Sequence, residues 1–113
     1  MRNYIVRITD SAINDIEELA EFYYELVGEQ AASIFVEDVI ATLESLDTFP
    51  ERNTWFDKEY DLRRVLVRNH KVSIVYIVDN GAFEVVAFGA FHTAGKPSRY
   101  TEELIQRLKE LQK

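Results

Sequence analysis

The sequence predicts an α+β fold: an antiparallel sheet of about four strands covered by an N-terminal helix hairpin, in the order β-α-α-β-β-β-α. Three observations carry that expectation. Two consecutive stretches, "AINDIEELAEFYYELV" and the run from Glu29 to Leu46, place apolar residues three and four apart, the period of a helix with one buried face. Three later runs, Leu62–Arg68, Lys71–Val78 and Phe83–Phe91, are short, rich in β-branched and aromatic residues, and separated by turn signals. The connection at Gly28 is short, so the two helices double back on each other.

Taken in order, "NYIVRIT" alternates Tyr4, Val6 and Ile8 against Ile5 and Arg7, a strand with one strongly apolar face. Asp10 or Ser11 can cap the first helix by accepting a hydrogen bond from a free backbone N–H. Ala12, Ile16, Leu19, Ala20, Tyr23 and Val27 form its apolar stripe, with Glu17, Glu18, Glu21 and Glu25 mostly on the other side. Gly28 ends it, because glycine takes left-handed geometry cheaply. The second helix buries Ala32, Phe35, Val36, Val39, Leu43 and Leu46 and stops at Phe49-Pro50, where proline pushes its predecessor out of helical geometry. Residues 51–61 read as irregular, with Trp55, Phe56 and Tyr60 as anchors. Asn69-His70 and the Asp79-Asn80-Gly81-Ala82 stretch turn the meander, the second through a positive φ at Asn-Gly. "HTAGKPSRYT" reads as loop. A last helix at about 100–112 follows, with Leu104, Leu108 and Leu111 on one line, Glu102 and Glu103 near its positive end, and Lys109 and Lys113 near its negative end.

The two last strands are apolar at both parities: Val72, Ile74, Tyr76 and Val78 on one side, Val75 and Ile77 on the other. A sheet with helices on one face only shows polar alternation. The second face must therefore be covered as well, by the C-terminal helix or by a partner. Arg63, Arg64 and Arg68 lie in the same region, which suggests an apolar, arginine-bearing surface meeting an acidic partner.

The bulk numbers fit one domain over residues 1–113, with the last helix as an addition to it. There is no cysteine, which removes disulfides and thiolate metal sites and suits a reducing cytoplasm. No apolar run approaches the roughly 18–20 residues of a membrane helix, and the N-terminus lacks the apolar core of a secretion signal. Net charge is −7, unevenly placed: residues 1–50 hold 2 Lys/Arg against 11 Asp/Glu, and residues 51–113 hold 11 against 9. That balance disfavours non-specific binding to duplex DNA, which needs a broad cationic face. With two histidines and no His/Asp/Glu cluster at ligand spacing, no metal site is expected. "HTAGKPS" lacks phosphate-loop spacing, so no nucleotide or other cofactor is expected.

From Ile8 to His92 the chain resembles the RelE/ParE superfamily of toxins from toxin–antitoxin systems. The likeness runs through "ITDSAINDIEELAEFYYE", "AASIFVEDVIATLESLDTFPE", "LRRVLV" and "VYIVDNGAFEVVAFGAFH". Within these, Ala12, Ile16, Leu19, Ala32, Phe35, Leu46, Phe49-Pro50, Leu62-Arg63-Arg64, Tyr76 and His92 stand where that superfamily repeats such residues. The resemblance implies a small toxin of the plasmid-stabilisation type, neutralised by a cognate antitoxin laid over it as an extended or helical segment. RelE-like members cut mRNA on the ribosome; ParE-like members poison DNA gyrase.

If the chain is a ribonuclease, the working groups would be His92, Arg64 and Arg68, with Lys71, Tyr76 and Glu59 nearby. Metal-free cleavage needs a group to take the 2′-hydroxyl proton, one to protonate the leaving oxygen, and cations around the transition-state charge. Arg64 and Arg68 share a strand parity, and His92 shares one with Phe88 and Ala90. Against this, ribonuclease members carry a basic residue three positions before the strand tyrosine, where this chain has Ser73, and an aromatic or basic residue after the histidine, where it has Thr93. The helix pattern and the "FPE…LRRV" stretch favour the ParE-like branch, although ParE-like toxins end soon after the histidine with a basic residue close behind. Here the nearest are Lys96 and Arg99, and a helix follows.

On the binding reading, Arg63, Arg64, Arg68, Lys71, Tyr76 and Trp55 are the partner-contact candidates. Each has a plainer role as well: Arg63 and Arg64 as partners of Asp57, Glu59 or Asp61, Tyr76 as core, Trp55 as a loop anchor. His70 reads as a turn residue. The partners expected are the antitoxin and either gyrase or the ribosome and its mRNA, with a second copy of the chain as a further candidate. A third reading is an interaction module that keeps the fold without toxicity.

Overall fold

The computed structural model describes residues 3–93 and 98–112, with Ser98 and Arg99 described by backbone alone. Lys96, Lys113 and the Arg99 side chain lie outside the described residues. The elements are β1 (Ile5–Ile8), α1 (Asp10–Val27), α2 (Glu29–Glu44), β2 (Trp55–Asp57), β3 (Leu62–Leu66), β4 (Val72–Asp79), β5 (Glu84–His92) and α3 (Ser98–Leu111). Single 3-10 turns at Ser45–Asp47 and Pro50–Arg52 link α2 to β2.

The fold class is the α+β arrangement expected, and the helix hairpin forms as its periodicity dictates. The cap of α1 is Thr9, one residue before the expected pair: its Oγ1 accepts from the Ala12 N–H at 3.2 Å. Gly28, at φ 105°, closes α1 by donating its N–H to the carbonyls of Tyr23 and Tyr24. Phe49, ahead of Pro50, takes left-handed geometry at φ 48°, outside the right-handed helical region that proline disfavours in its predecessor. At the β4–β5 turn the positive φ falls on Phe83 rather than on Asn-Gly, because the Asp79 carboxylate accepts from the Ala82 N–H and holds the turn itself.

The sheet has five strands in the order β1-β5-β4-β3-β2, one more than expected. The extra strand is β2, a short edge element drawn from the stretch read as irregular; it pairs antiparallel with β3 through Trp55 and Arg63. The sheet is also mixed rather than wholly antiparallel. β1 runs parallel to β5, Ile5 beside Glu84 through Ile8 beside Ala87. The helix hairpin and meander between them make the long crossover a parallel pair requires.

A β-bulge changes which residues face where. β4 and β5 pair Val75 with Gly89 and then Tyr76 with Ala87, leaving Phe88 as the extra residue. Phe88 therefore leaves the side of Ala87 and Ala90 and packs with Val75, Phe91, Leu104 and Leu108. Sequence parity alone put Phe88, Ala90 and His92 together.

Each face of the sheet has its own cover. The hairpin packs Phe35 and Val39, and the 3-10 turn after it packs Leu46, onto Val72, Ile74 and Tyr76. On the other face α3 lays Leu104 and Leu108 over Leu62, Val75 and Phe88, and Tyr100 stacks on Phe91 at 4.8 Å between centroids. Of the two covers expected for the second apolar face, the C-terminal helix or a partner, the chain's own C-terminal helix seals its centre. Gly89 permits the approach: a Cβ there would stand 2.4 Å from Leu104 Cδ2. The helix begins at Ser98, earlier than the loop reading of residues 92–101 allowed.

β5 outruns β1, so the backbone of Phe88–Ala90, paired with β4 on one edge, has no strand on the other. Asp15 on α1 and Arg107 on α3 take the place of that strand. Asp15 Oδ2 accepts from the Ala90 N–H at 3.0 Å, and Arg107 Nη1 donates to the Phe88 carbonyl at 3.1 Å. The two side chains also bond each other, at 2.7 and 3.2 Å, and Arg107 reaches Glu103 at 2.9 Å. The paired carboxylate and its hydrogen bonds hold the Arg107 guanidinium pKa above its ordinary value.

Candidate functional site

The arginine-rich strand divides by register. Arg63 sits opposite Tyr76, on the hairpin side, and Arg64 opposite Val75, on the α3 side. Arg63 does not pair with the acidic loop residues. Its Nη1 donates to the carbonyls of Glu51 and Asn53 at 2.9 and 2.8 Å, and its guanidinium lies 3.8 Å from the centroid of the Trp55 ring. That cation–π contact and two carbonyl bonds fasten the 50–55 segment to β3.

Tyr76 completes the same network. It is fully buried, donates to the Pro50 carbonyl at 2.5 Å, and accepts from Asn53 Nδ2 at 3.0 Å. Burial raises its pKa, against the opposing pull of the Asn53 hydrogen bond and the Arg63 and Arg52 charges. The hydroxyl therefore stays protonated near neutrality and has both of its bonds inside the fold.

Arg64 is half-buried, while Arg68 and Lys71 are exposed on either side of the β3–β4 turn. β3 ends at Leu66, so the parity that linked Arg64 to Arg68 does not extend to Arg68. Leu66 is 59 % exposed. Leu66 shares a strand parity with Arg64 and lies next to the turn flanked by Arg68 and Lys71.

His92 pairs with Val72, whose side chain lies in the hairpin-side core. His92 and Arg64 thus stand on opposite faces, and the three residues proposed for RNA cleavage are not gathered into one site. Glu59 is exposed in the β2–β3 connection. Among the described residues, no group of three or more His, Asp or Glu side chains could hold a metal ion, and no helix is long and apolar enough to cross a membrane.

Sequence reasoning missed two polar contacts. His70, read as a turn residue, is 12 % exposed at its side chain; its Nε2 lies 2.8 Å from Asp38 Oδ2, and its ring meets Tyr23 and Phe35 edge-on. It bolts the cation-bearing turn to the hairpin. The Asp15–Arg107 pair is the other, and no local pattern announces either.

A groove of about 430 Å³ opens between α1 and α3 at the end of β5, with Leu19, Phe91 and Leu104 inside and Glu18, Phe22, His92, Tyr100 and Glu103 around it.

Residues 6–94 match the family of ParE toxins of type II toxin–antitoxin systems (parDE). This chain belongs to that family. The matched residues run from β1 through β5, so α3 of this ParE-family chain lies beyond them. No individually curated protein matches the sequence significantly.

Solved structures share the fold at low identity. A chain of the chromosomal ParDE system from P. aeruginosa superposes with a TM-score of 0.69 at 16 % identity, covering 79 % of this chain and 95 % of that one. A mutant E. coli RelE toxin in the free state gives 0.64 at 16 %, covering 93 % and 97 %. A RelBE toxin–antitoxin complex from Mycobacterium tuberculosis gives 0.52 at 22 %, covering 84 % and 97 %.

Proposed function

We propose that this ParE-family chain is a toxin that acts by binding rather than by cutting RNA, with a gyrase-like topoisomerase in the cytoplasm as target and a cognate antitoxin as its neutralising partner. The observation that carries this reading is the separation of His92 from Arg64 across the sheet. General acid–base cleavage needs its proton acceptor, proton donor and cations within hydrogen-bond reach of one phosphate. Tyr76, a further donor candidate, has its hydroxyl bonded to Pro50 and Asn53 inside the fold. The cationic end of the sheet supports the binding side of the argument. Arg64, Arg68 and Lys71, together with exposed Leu66, suit an acidic surface that also offers an apolar contact, the apolar burial supplying affinity and the charges orientation.

The test is expression of the chain alone under tight induction. The expected result is growth arrest with a DNA-damage response and intact mRNA, relieved by Arg64→Ala with Arg68→Ala and unaffected by His92→Ala. Cleaved mRNA that disappears in His92→Ala would replace the binding reading with the nuclease one. Harmless expression would leave an interaction module that keeps only the fold.

A further inference from the structure

The turn between β3 and β4 is held by more than its own backbone. His70 closes it, its N–H donating to the Val67 carbonyl at 3.1 Å, and Asn69 takes a positive φ of 67° inside it. Turn residues normally face water. The His70 side chain is instead buried edge-on to Tyr23 of α1 and Phe35 of α2, at 5.5 and 5.1 Å between centroids. Its Nε2 stands 2.8 Å from Asp38 Oδ2. A carboxylate only accepts, so Nε2 carries the proton and donates it. Asp38 is an unfavourable choice for the interior of α2, because aspartate competes with the helix backbone for hydrogen bonds and belongs at caps. Among the described residues its carboxylate bonds His70 alone.

This pin acts on two cations. Arg68 follows the fully buried Val67 and precedes His70 by two residues. Lys71 lies between His70 and the fully buried Val72, and its carbonyl accepts from the Thr93 N–H at 2.7 Å. Both cationic side chains are exposed, yet both leave a backbone anchored within two residues on either side. Among the described residues neither has an ion partner. Charges presented from a fixed backbone lose less freedom when an acidic surface arrives, which raises affinity without any new contact.

We propose that Asp38 and His70 are positioning residues for target binding: they touch no target themselves and hold Arg68 and Lys71 where an acidic surface meets them. The inference rests on the binding reading of this end of the sheet. It makes the hairpin, through one carboxylate of α2, part of the device that sets target affinity.

The experiment titrates purified DNA gyrase with the full chain and its variants in a calorimeter, after thermal melts of each variant verify the fold. Asp38 is the position to change, because its removal leaves the His70 ring packed against Tyr23 and Phe35. Arg68→Ala with Lys71→Ala is expected to weaken binding at least about tenfold, and Asp38→Ala about fivefold. Asp38→Asn, which keeps an acceptor for the ring N–H, should recover most of that loss. In the chain already lacking both cations, Asp38→Ala should change binding by less than about twofold, because a residue that acts only through them has nothing left to position. Combined with Arg64→Ala, on β3 rather than the turn, its effect should multiply in full. If Asp38→Ala binds as the unaltered chain does, or costs as much without the two cations as with them, the positioning inference is overturned and the target reading stands. If the unaltered chain does not bind gyrase, or binds it equally well without Arg68 and Lys71, both are overturned.

Discussion

On the hairpin side, the sheet meets two helices of 18 and 16 residues and the 3-10 turn that follows them, which bury Phe35, Val39 and Leu46 against Ile74 and Tyr76. On the other side it meets one helix of 14 residues, held by Leu104, Leu108, the Tyr100–Phe91 stack and the Asp15–Arg107 pair. The first cover is an apolar layer whose loss would expose the larger of the two core clusters. The second is a single rod with two leucines and a charged clamp. Local opening free energy follows buried apolar contact, so α3 should open well below the global unfolding free energy while the hairpin should not. The clamp matters more than its size suggests, because it also satisfies the backbone of β5 where β1 has ended.

The largest expected effect tests the hairpin side. Phe35→Ala removes a fully buried ring between Tyr23 and His70 and should cost about 3–5 kcal/mol, read as a lower urea midpoint for the whole molecule. A loss below about 1 kcal/mol would mean that this face is not the keystone.

Arg107→Ala tests the other cover. It leaves the Asp15 carboxylate without its cation and the Phe88 carbonyl without its donor, and should cost about 2–3 kcal/mol. Amide hydrogen exchange is expected to rise across α3 and at Phe88–Ala90 while α2 keeps its protection. Equal loss of protection in α2 and α3 would erase the distinction between the two faces.

Tyr76→Phe is the smallest perturbation. It removes two hydrogen bonds from the hydroxyl but leaves the ring, and should cost about 1 kcal/mol. The folded phenol has a raised pKa, so the native state holds its proton more tightly than the unfolded chain does. Its contribution is full below the ordinary tyrosine value near 10 and is lost as pH climbs through the folded value. The unaltered protein should therefore lose stability above about pH 10 more steeply than the phenylalanine variant, as read by denaturant midpoints across that range.

Much of the fold was legible because it rests on short-range pattern. The stripes of α1 and α2 needed only the helical period, and the double apolar parity of β4 correctly required covers on both faces. The candidate site was less legible. Arg63 looked like a contact residue, and its carbonyl partners Glu51 and Asn53 were invisible until β2 paired with β3. His92 looked coplanar with Phe88 until the bulge turned Phe88 away. Asp15 and Arg107 lie on different helices at opposite ends of the chain, and nothing local marks either as half of a clamp.

The sequence by itself determined the helices, most of the strands, the hairpin and the family likeness, because each follows from periodicity, glycine and proline placement and residue order along a few turns of chain. The tertiary structure alone decided the direction of β1, the side on which Phe88 lies, which cations are held inside and which reach water, and that α3 seals the second face. The reason is range. Those outcomes depend on hydrogen bonds and packing between residues distant in the chain, where no local pattern constrains the pairing and only the closed sheet brings the partners together.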